Sequence, residues 1–196
     1  MTVPWRTETV VALCRLMLDS RDWTALPVLA DALEEAGCDD AALVAACRDP
    51  SPSPVFAERA VNLAYSEETA EAVRWLEDFA GRLGQTCENW GEGWEETRSA
   101  MEAYRLAHGT LEGFDWQAHR AVERWTPITY ADVIQAGHGF VDHGDYFVQI
   151  GSEEARDLLY DDEVRRTFWR HWCLVTGRNV SLEEDDIGSA PFSCSC

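Results

Sequence analysis

The chain has 196 residues and carries 36 acidic against 16 basic residues, so its formal net charge is −20. This acidic excess repels phosphate backbones and anionic lipid headgroups, and it argues against nucleic-acid and membrane partners. Hydrophobic residues make up 46% of the chain and include nine tryptophans, which predicts a folded core and excludes wholesale disorder.

Three helices are predicted in the first quarter of the chain, over residues 7–18, 22–37 and 41–48. Each has apolar side chains at helical spacing, and the second ends at Gly37. Asp39 or Asp40 is in position to cap the third. Residues 49–55 contain three prolines, which favour an extended linker and mark a candidate subdomain break.

The rest of the chain is also predicted to be largely helical. The helices are expected at residues 56–65, 66–84, 95–109, 115–125, 130–137 and 152–177, the last with a break near 160–162. Ser66 is expected to cap its helix with a capping box. Residues 85–94 contain two glycines and two tryptophans and are predicted to form a loop.

The glycine-rich segment that starts at Gly137 is predicted to differ from the helices around it. It ends in the alternating run 146–150, which suggests a small β-hairpin near 140–150. The expected fold is therefore mainly α, an irregular helical bundle or array, in a single domain over residues 1–180 followed by an acidic, cysteine-ending tail at 181–196. Since no apolar run would span a bilayer and the start lacks a signal-peptide pattern, we expect a cytoplasmic protein.

One segment, residues 25–52, contains the run "LADALEEAGC", an acidic helix cap and a second helix that ends in Cys-Arg before a proline-containing exit. It resembles a short helical element of uncharacterised planctomycete-type bacterial proteins, similar to those with repeat-companion domains. The resemblance covers about one seventh of the chain. It implies a helix pair and a bacterial origin, and it implies no catalytic residue.

Catalytic motifs are missing from the sequence. It has no Gly-x-Ser-x-Gly elbow, no Gly-x-Gly-x-x-Gly loop and no His-Glu-x-x-His motif, and all 16 basic residues are arginine, which excludes lysine Schiff-base chemistry. The best polar constellation is His138, Asp142, His143 and Asp145. These residues suit an acid–base pair or a metal site, but they suit a glycine-rich turn with solvated histidines better.

Seven cysteines, an odd number, do not form a disulfide framework in a chain of this size. Cys14, Cys47 and Cys173 fall within apolar helical patterns and are predicted to be small buried side chains. Cys194 and Cys196 end the chain as Cys-Ser-Cys. They are candidates for a zinc site completed by His138 and His143, for thiol exchange, or for modification of the tail.

We therefore expect a non-enzymatic protein-interaction module that needs no cofactor and engages a protein partner. Trp90, Trp94 and Trp169 are the candidate interaction surface, because tryptophan is enriched at the centres of protein interfaces. The alternative is a metal- or thiol-dependent protein that uses the terminal cysteines, or a substrate for tail modification.

Overall fold

The computed structural model describes residues 4–87, 90–115, 125–143, 148–150, 153–178, 180 and 192–194. Within these ranges the protein is mainly α, which confirms the expected fold class. The helices are α1 (Glu8–Ser20), α2 (Leu26–Glu35), α3 (Ala41–Cys47), α4 (Pro54–Tyr65), α5 (Glu67–Leu83), α6 (Trp90–His108), α7 (Tyr130–His143), α8 (Glu153–Tyr160) and α9 (Asp162–Thr176). In the described part of the chain, none of them is both long and apolar enough to cross a membrane.

Several of these helices begin at a capping residue, whose side chain accepts a hydrogen bond from a backbone amide of the first turn. Thr7 accepts a hydrogen bond from the Val10 amide at α1, and Asp40 accepts one from the Leu43 amide at α3. Ser66 caps α5 within a capping box, as expected, and its partner in the box is the Thr69 hydroxyl. The third residue after Ser66 is a threonine, and a hydroxyl can accept from the Ser66 amide as a carboxylate would.

Most of the buried apolar side chains that the structure describes fall into two clusters. The N-terminal cluster joins α1, α2, α3 and α4, and the C-terminal cluster joins α5, α7, α8 and α9. Helix α4 belongs to the first cluster through Ala57, Ala60 and Val61, while its residues Val55 and Leu63 also pack against the second. The proline segment at 49–53 therefore connects two helices of one cluster, and the subdomain break stays a prediction.

Polar side chains from the N-terminal helices hold the C-terminal end of α9. Asn62 lies on α4 and is only 1% exposed. Its Nδ2 atom donates a hydrogen bond to the Val175 carbonyl at 2.8 Å. Arg21, which caps the end of α1, donates to the Thr176 carbonyl and forms an ion pair with Glu58. These contacts satisfy carbonyls that the last turn of a helix leaves without an intrahelical partner.

Among the described residues, four three-residue strands form a small sheet in the order β2-β1-β3-β4. They are β1 (Gln85–Cys87), β2 (Trp125–Pro127), β3 (Val148–Ile150) and β4 (Phe192–Cys194). Strand β1 is antiparallel to both β2 and β3, and β4 runs parallel to β3. The sheet thus brings together segments that are more than 100 residues apart in the chain.

Two segments that the sequence predicts to be irregular are helical or extended in the structure. Of residues 85–94, expected as a loop, residues 85–87 form β1 and residues 90–94 belong to the start of α6. Residues 137–143, expected as a turn or hairpin, continue α7, because Gly137 leaves room for the Trp172 indole packed against it. A strand does lie at 148–150, but it pairs with distant β1 and β4 rather than in a local hairpin. The helix predicted at 115–125 falls mostly outside the described residues, and Trp125 belongs to β2.

Candidate functional site

Three tryptophans are predicted to form an interaction surface, and the structure bears differently on each of them. The prediction for Trp169 is wrong: its side chain is 0% exposed in the middle of α9, with edge-on contacts to the rings of Phe168 and Trp172 at centroid distances of 4.9 and 5.6 Å. Trp90 and Trp94 lie in the first turns of α6 rather than in a loop, and their side chains are outside the described residues. Their role stays a prediction.

His138 and His143 both lie on α7, five positions apart. A step of five residues rotates the side-chain direction by about 140° around the helix axis. The two positions therefore do not lie on the same side of the helix. The His138 ring packs edge-on against Trp172 at 5.0 Å between centroids. Burial, followed by the charge of Arg178, lowers the pKa of His138, and Asp142 pairs with Arg178 at 2.7 Å. Asp145 lies outside the described residues.

The terminal cysteines are only partly placed. Cys194 is the last residue of β4, opposite Ile150, while its side chain and Cys196 fall outside the described residues. Among the described side chains, no group of three histidines, cysteines or carboxylates is arranged to hold a metal ion. The zinc and thiol hypotheses for Cys194, Cys196, His138 and His143 therefore stay predictions.

Cys14, Cys47, Cys173 and His171 lie in packed surroundings. Cys14 and Cys47 are fully buried, as expected, and burial raises the pKa of each thiol to about 12. These thiols stay protonated and are poor nucleophiles. Cys173 is half-buried, and the neighbouring His171 packs its ring against Trp75 at 5.1 Å.

An open concave feature of the described surface lies between α2 and α3. Helix α2 ends at Glu35, and Gly37 takes a positive φ of 79° that reverses the chain. The Cys38 amide then donates to the Leu33 carbonyl at 2.9 Å, and Asp40 starts α3. This tight connection sets two short helices side by side.

The resulting cavity, here called the α2–α3 groove, has a volume of about 480 Å³. Its lining residues are Glu34, Cys38, Asp39, Ala41, Val44, Ala45 and Arg48. The lining is mostly apolar on the α3 side, where small alanine side chains leave room for a ligand. Glu34 stands at its α2 edge and Asp39 at the turn, so the groove combines an apolar floor with an acidic rim of two carboxylates.

Arg48 lies across one end of the groove. Its Nη2 atom donates to Glu34 Oε2 at 2.6 Å and to Asp31 Oδ1 at 3.3 Å. The three side chains are 49%, 47% and 71% exposed, so this ion-pair group is largely solvated. The hydrogen bonds that Arg48 donates to Glu34 and then to Asp31 raise the pKa of Arg48 above its ordinary value, so the guanidinium stays charged.

Negative charge dominates this part of the chain. Residues 31–49 contain six acidic side chains and a single arginine, Arg48. Burial, with the charges of Asp40 and Asp39, raises the pKa of Cys38, although the Asp40 backbone hydrogen bond opposes the shift. The raised pKa leaves less of the Cys38 thiol as the nucleophilic thiolate, and the electrostatic character of the groove comes from its carboxylates and Arg48.

Sequence reasoning predicted the two helices of the groove and missed the groove itself. The signal that was present is the density of carboxylates around the small residues Ala41 and Ala45. No family model matches the chain, and neither the curated proteins nor the solved structures contain a match to it.

Proposed function

We propose that this chain is a non-enzymatic protein-interaction module whose docking surface is the α2–α3 groove. The observation that carries the proposal is the pairing of an open, mostly apolar cavity of about 480 Å³ with an acidic rim. Grooves of this kind accept a segment of a partner protein, whose apolar atoms cover the floor while its polar groups meet the rim.

The charges in and near the groove indicate the kind of partner. Glu34 and Asp39 line it beside the single cation Arg48, and the wider segment 31–49 carries six acidic residues against that one arginine, which favours a partner segment rich in lysine or arginine. The long aliphatic stems of those side chains would lie on Val44 and Ala45, with their charged ends at the rim. The net charge of −20 adds long-range attraction for the same class of partner.

Two arginine substitutions on one helix test this function. Ala45 lines the groove, whereas Ala42 is also exposed on α3 but does not line it. Ala45→Arg places a long cationic side chain in the groove, and Ala42→Arg makes the same change of charge and volume beside it. We expect Ala45→Arg alone to lose the protein partner.

The measurement is affinity capture from an extract of the source organism, followed by quantitative mass spectrometry. The expected partner is a protein with a basic segment that wild type and Ala42→Arg retain and that Ala45→Arg reduces at least about tenfold. Retention of every captured protein by Ala45→Arg would overturn the groove as the docking surface.

A further inference from the structure

We propose that the α2–α3 groove of one copy of this chain binds α9 of a second copy. The surface that enters the groove is here called the α9 face and consists of Arg166, Arg170, Cys173 and Leu174. This inference rests on the proposed function and names the partner, which is another molecule of the same chain. Opposite charge on the two surfaces is the observation that identifies this partner.

Two arginines of the α9 face have no partner in the part of the chain that the structure describes. Arg166 and Arg170 are exposed and stand four positions apart, so they lie on the same side of α9. Neither makes an ion pair or a side-chain hydrogen bond there, whereas Arg165 pairs with Asp162 and donates to the Leu159 carbonyl. Two neighbouring free guanidiniums in a chain with 36 acidic residues can bind carboxylates of another molecule.

The groove provides carboxylates beside an apolar floor. Glu34 and Asp39 line it, and Arg48 is the single cation of its lining. Small apolar side chains of α3 cover the floor. An arginine suits this lining, because its aliphatic stem packs on apolar groups while its guanidinium donates to carboxylates. Two arginines on one side of a helix can therefore reach the floor and the rim together.

Apolar side chains continue the α9 face beyond its arginines. Cys173 and Leu174 come three and four positions after Arg170, so they lie on the same side of the helix. Both are half-buried and pack against the C-terminal cluster, which leaves part of each accessible. A second copy docked over this face would remove that remaining apolar surface from water.

The net charge of −20 on each copy opposes association, but only over long distances. At an ionic strength of about 0.15 M, exposed charges that are more than about 8 Å apart are largely screened from each other. Ion pairs in direct contact at a partly buried surface are screened much less. Association is therefore expected at this salt concentration and should weaken when salt is removed.

The two surfaces are different and belong to different parts of the molecule. The groove is formed by helices of the N-terminal cluster, and α9 belongs to the C-terminal cluster. A contact between unlike surfaces is heterologous, so each pair of copies keeps one free groove and one free α9 face. Copies should therefore associate head to tail, and variants that are defective in opposite surfaces should complement each other.

Two variants each block one of the surfaces. Ala45→Arg places a cationic side chain in the groove, and the double variant Arg166→Gln with Arg170→Gln removes the charge of the α9 face. The matched control is Arg82→Gln with Arg105→Gln, which removes two other exposed arginines, from the last turns of α5 and α6. The control changes the net charge by the same amount as the double variant.

The measurement is sedimentation velocity of the full-length protein in about 0.15 M salt, with a reductant to prevent disulfides between copies. We expect wild type and the control to self-associate with a dissociation constant on the order of 100 µM, as a small charged contact allows. Each blocking variant alone should associate at least about fivefold more weakly. An equimolar mixture of the two should form one-to-one heterodimers at wild-type affinity and nothing larger.

The inference is overturned if wild type stays monomeric up to about 500 µM, if either blocking variant associates as wild type does, or if the mixture stays monomeric. An equal loss in the control would also overturn it, because net charge alone would then explain the effect. Circular dichroism spectra verify the fold of each variant. The proposed function is tested separately, because capture with Ala45→Arg can still identify a different protein at the groove.

Discussion

Gly137 occupies a position in α7 where no side chain fits. A Cβ atom built on it would lie 2.2 Å from Nε1 of Trp172, closer than real Cβ contacts come. Trp172 is 0% exposed, and its Nε1 donates to the Ile134 carbonyl at 3.1 Å. The glycine therefore lets α7 approach α9 closely enough for this indole to be buried and hydrogen-bonded.

Gly137→Ala should destabilise the protein by about 1–3 kcal/mol, because the indole must move within a packed core. Gly81, in α5, is the matched control, since a Cβ there meets no atom within 4 Å. Gly81→Ala should leave stability unchanged or raise it by about 0.5–1 kcal/mol through helix propensity. Urea unfolding of both variants tests this pair, and equal effects would contradict the steric explanation.

Gly137 explains one difference between the predicted and the observed secondary structure. A run of glycine and histidine is typical of a turn when it is interpreted locally, yet residues 137–143 are helical. The decisive contact comes from Trp172, 35 positions further along the chain, and local patterns contain no information about it. The tight packing of Trp169 could not be predicted for the same reason.

At the scale of elements, the end of α1 is built on a strained residue. Arg21 has φ 54°, which is unusual for a residue other than glycine, and its guanidinium reaches both Glu58 and the last turn of α9. The contacts that the side chain makes across helices stabilise a backbone conformation that an arginine would not otherwise favour.

Arg21→Ala should lower the free energy of unfolding by about 1–2 kcal/mol, because it keeps the left-handed backbone and loses both contacts. Arg21→Gly loses the same contacts but removes the backbone strain, so it should be more stable than Arg21→Ala by about 1 kcal/mol. Thermal unfolding of the two variants measures the difference. The reverse order would show that the backbone at Arg21 is not strained.

The elements of the first half are those that the sequence predicts best. Helix α5 begins after Ser66, the capping residue expected there, and its apolar stripe is buried as its spacing indicates. The α2–α3 groove is different, although both of its helices were expected. Its volume depends on how closely the two helices approach each other, and a periodic pattern specifies which face is buried but not the gap that remains.

At the scale of the whole molecule, two half-buried histidines connect stability to pH. Burial is the largest cause that lowers the pKa of His138 and of His171 below the ordinary value of 6.5, followed by nearby arginines. The unfolded chain therefore binds protons more tightly at these sites. As the pH falls through about 6.5, proton binding favours unfolding, so the contribution of both histidines is lost towards acid.

A variant with His138→Gln and His171→Gln should lack this contribution. We expect its stability relative to wild type to improve as the pH is lowered from about 7.5 to about 5.5, whatever the absolute effect of the substitutions. Urea unfolding across that range measures the difference in the free energy of unfolding between the two proteins. The titration of the carboxylates, which both proteins share, cancels in this difference. Parallel pH profiles would refute the link.

The position of helix α4 determines what happens when the chain is cleaved just before it. Residues 49–53 precede it, so a protease that cleaves there leaves α4 on the C-terminal fragment. The N-terminal fragment then lacks Ala57, Ala60, Val61 and Ala64, all of them fully buried members of its own cluster. It would expose the apolar faces of α1 and α3, and the two fragments would regain a complete interior only by reassociation.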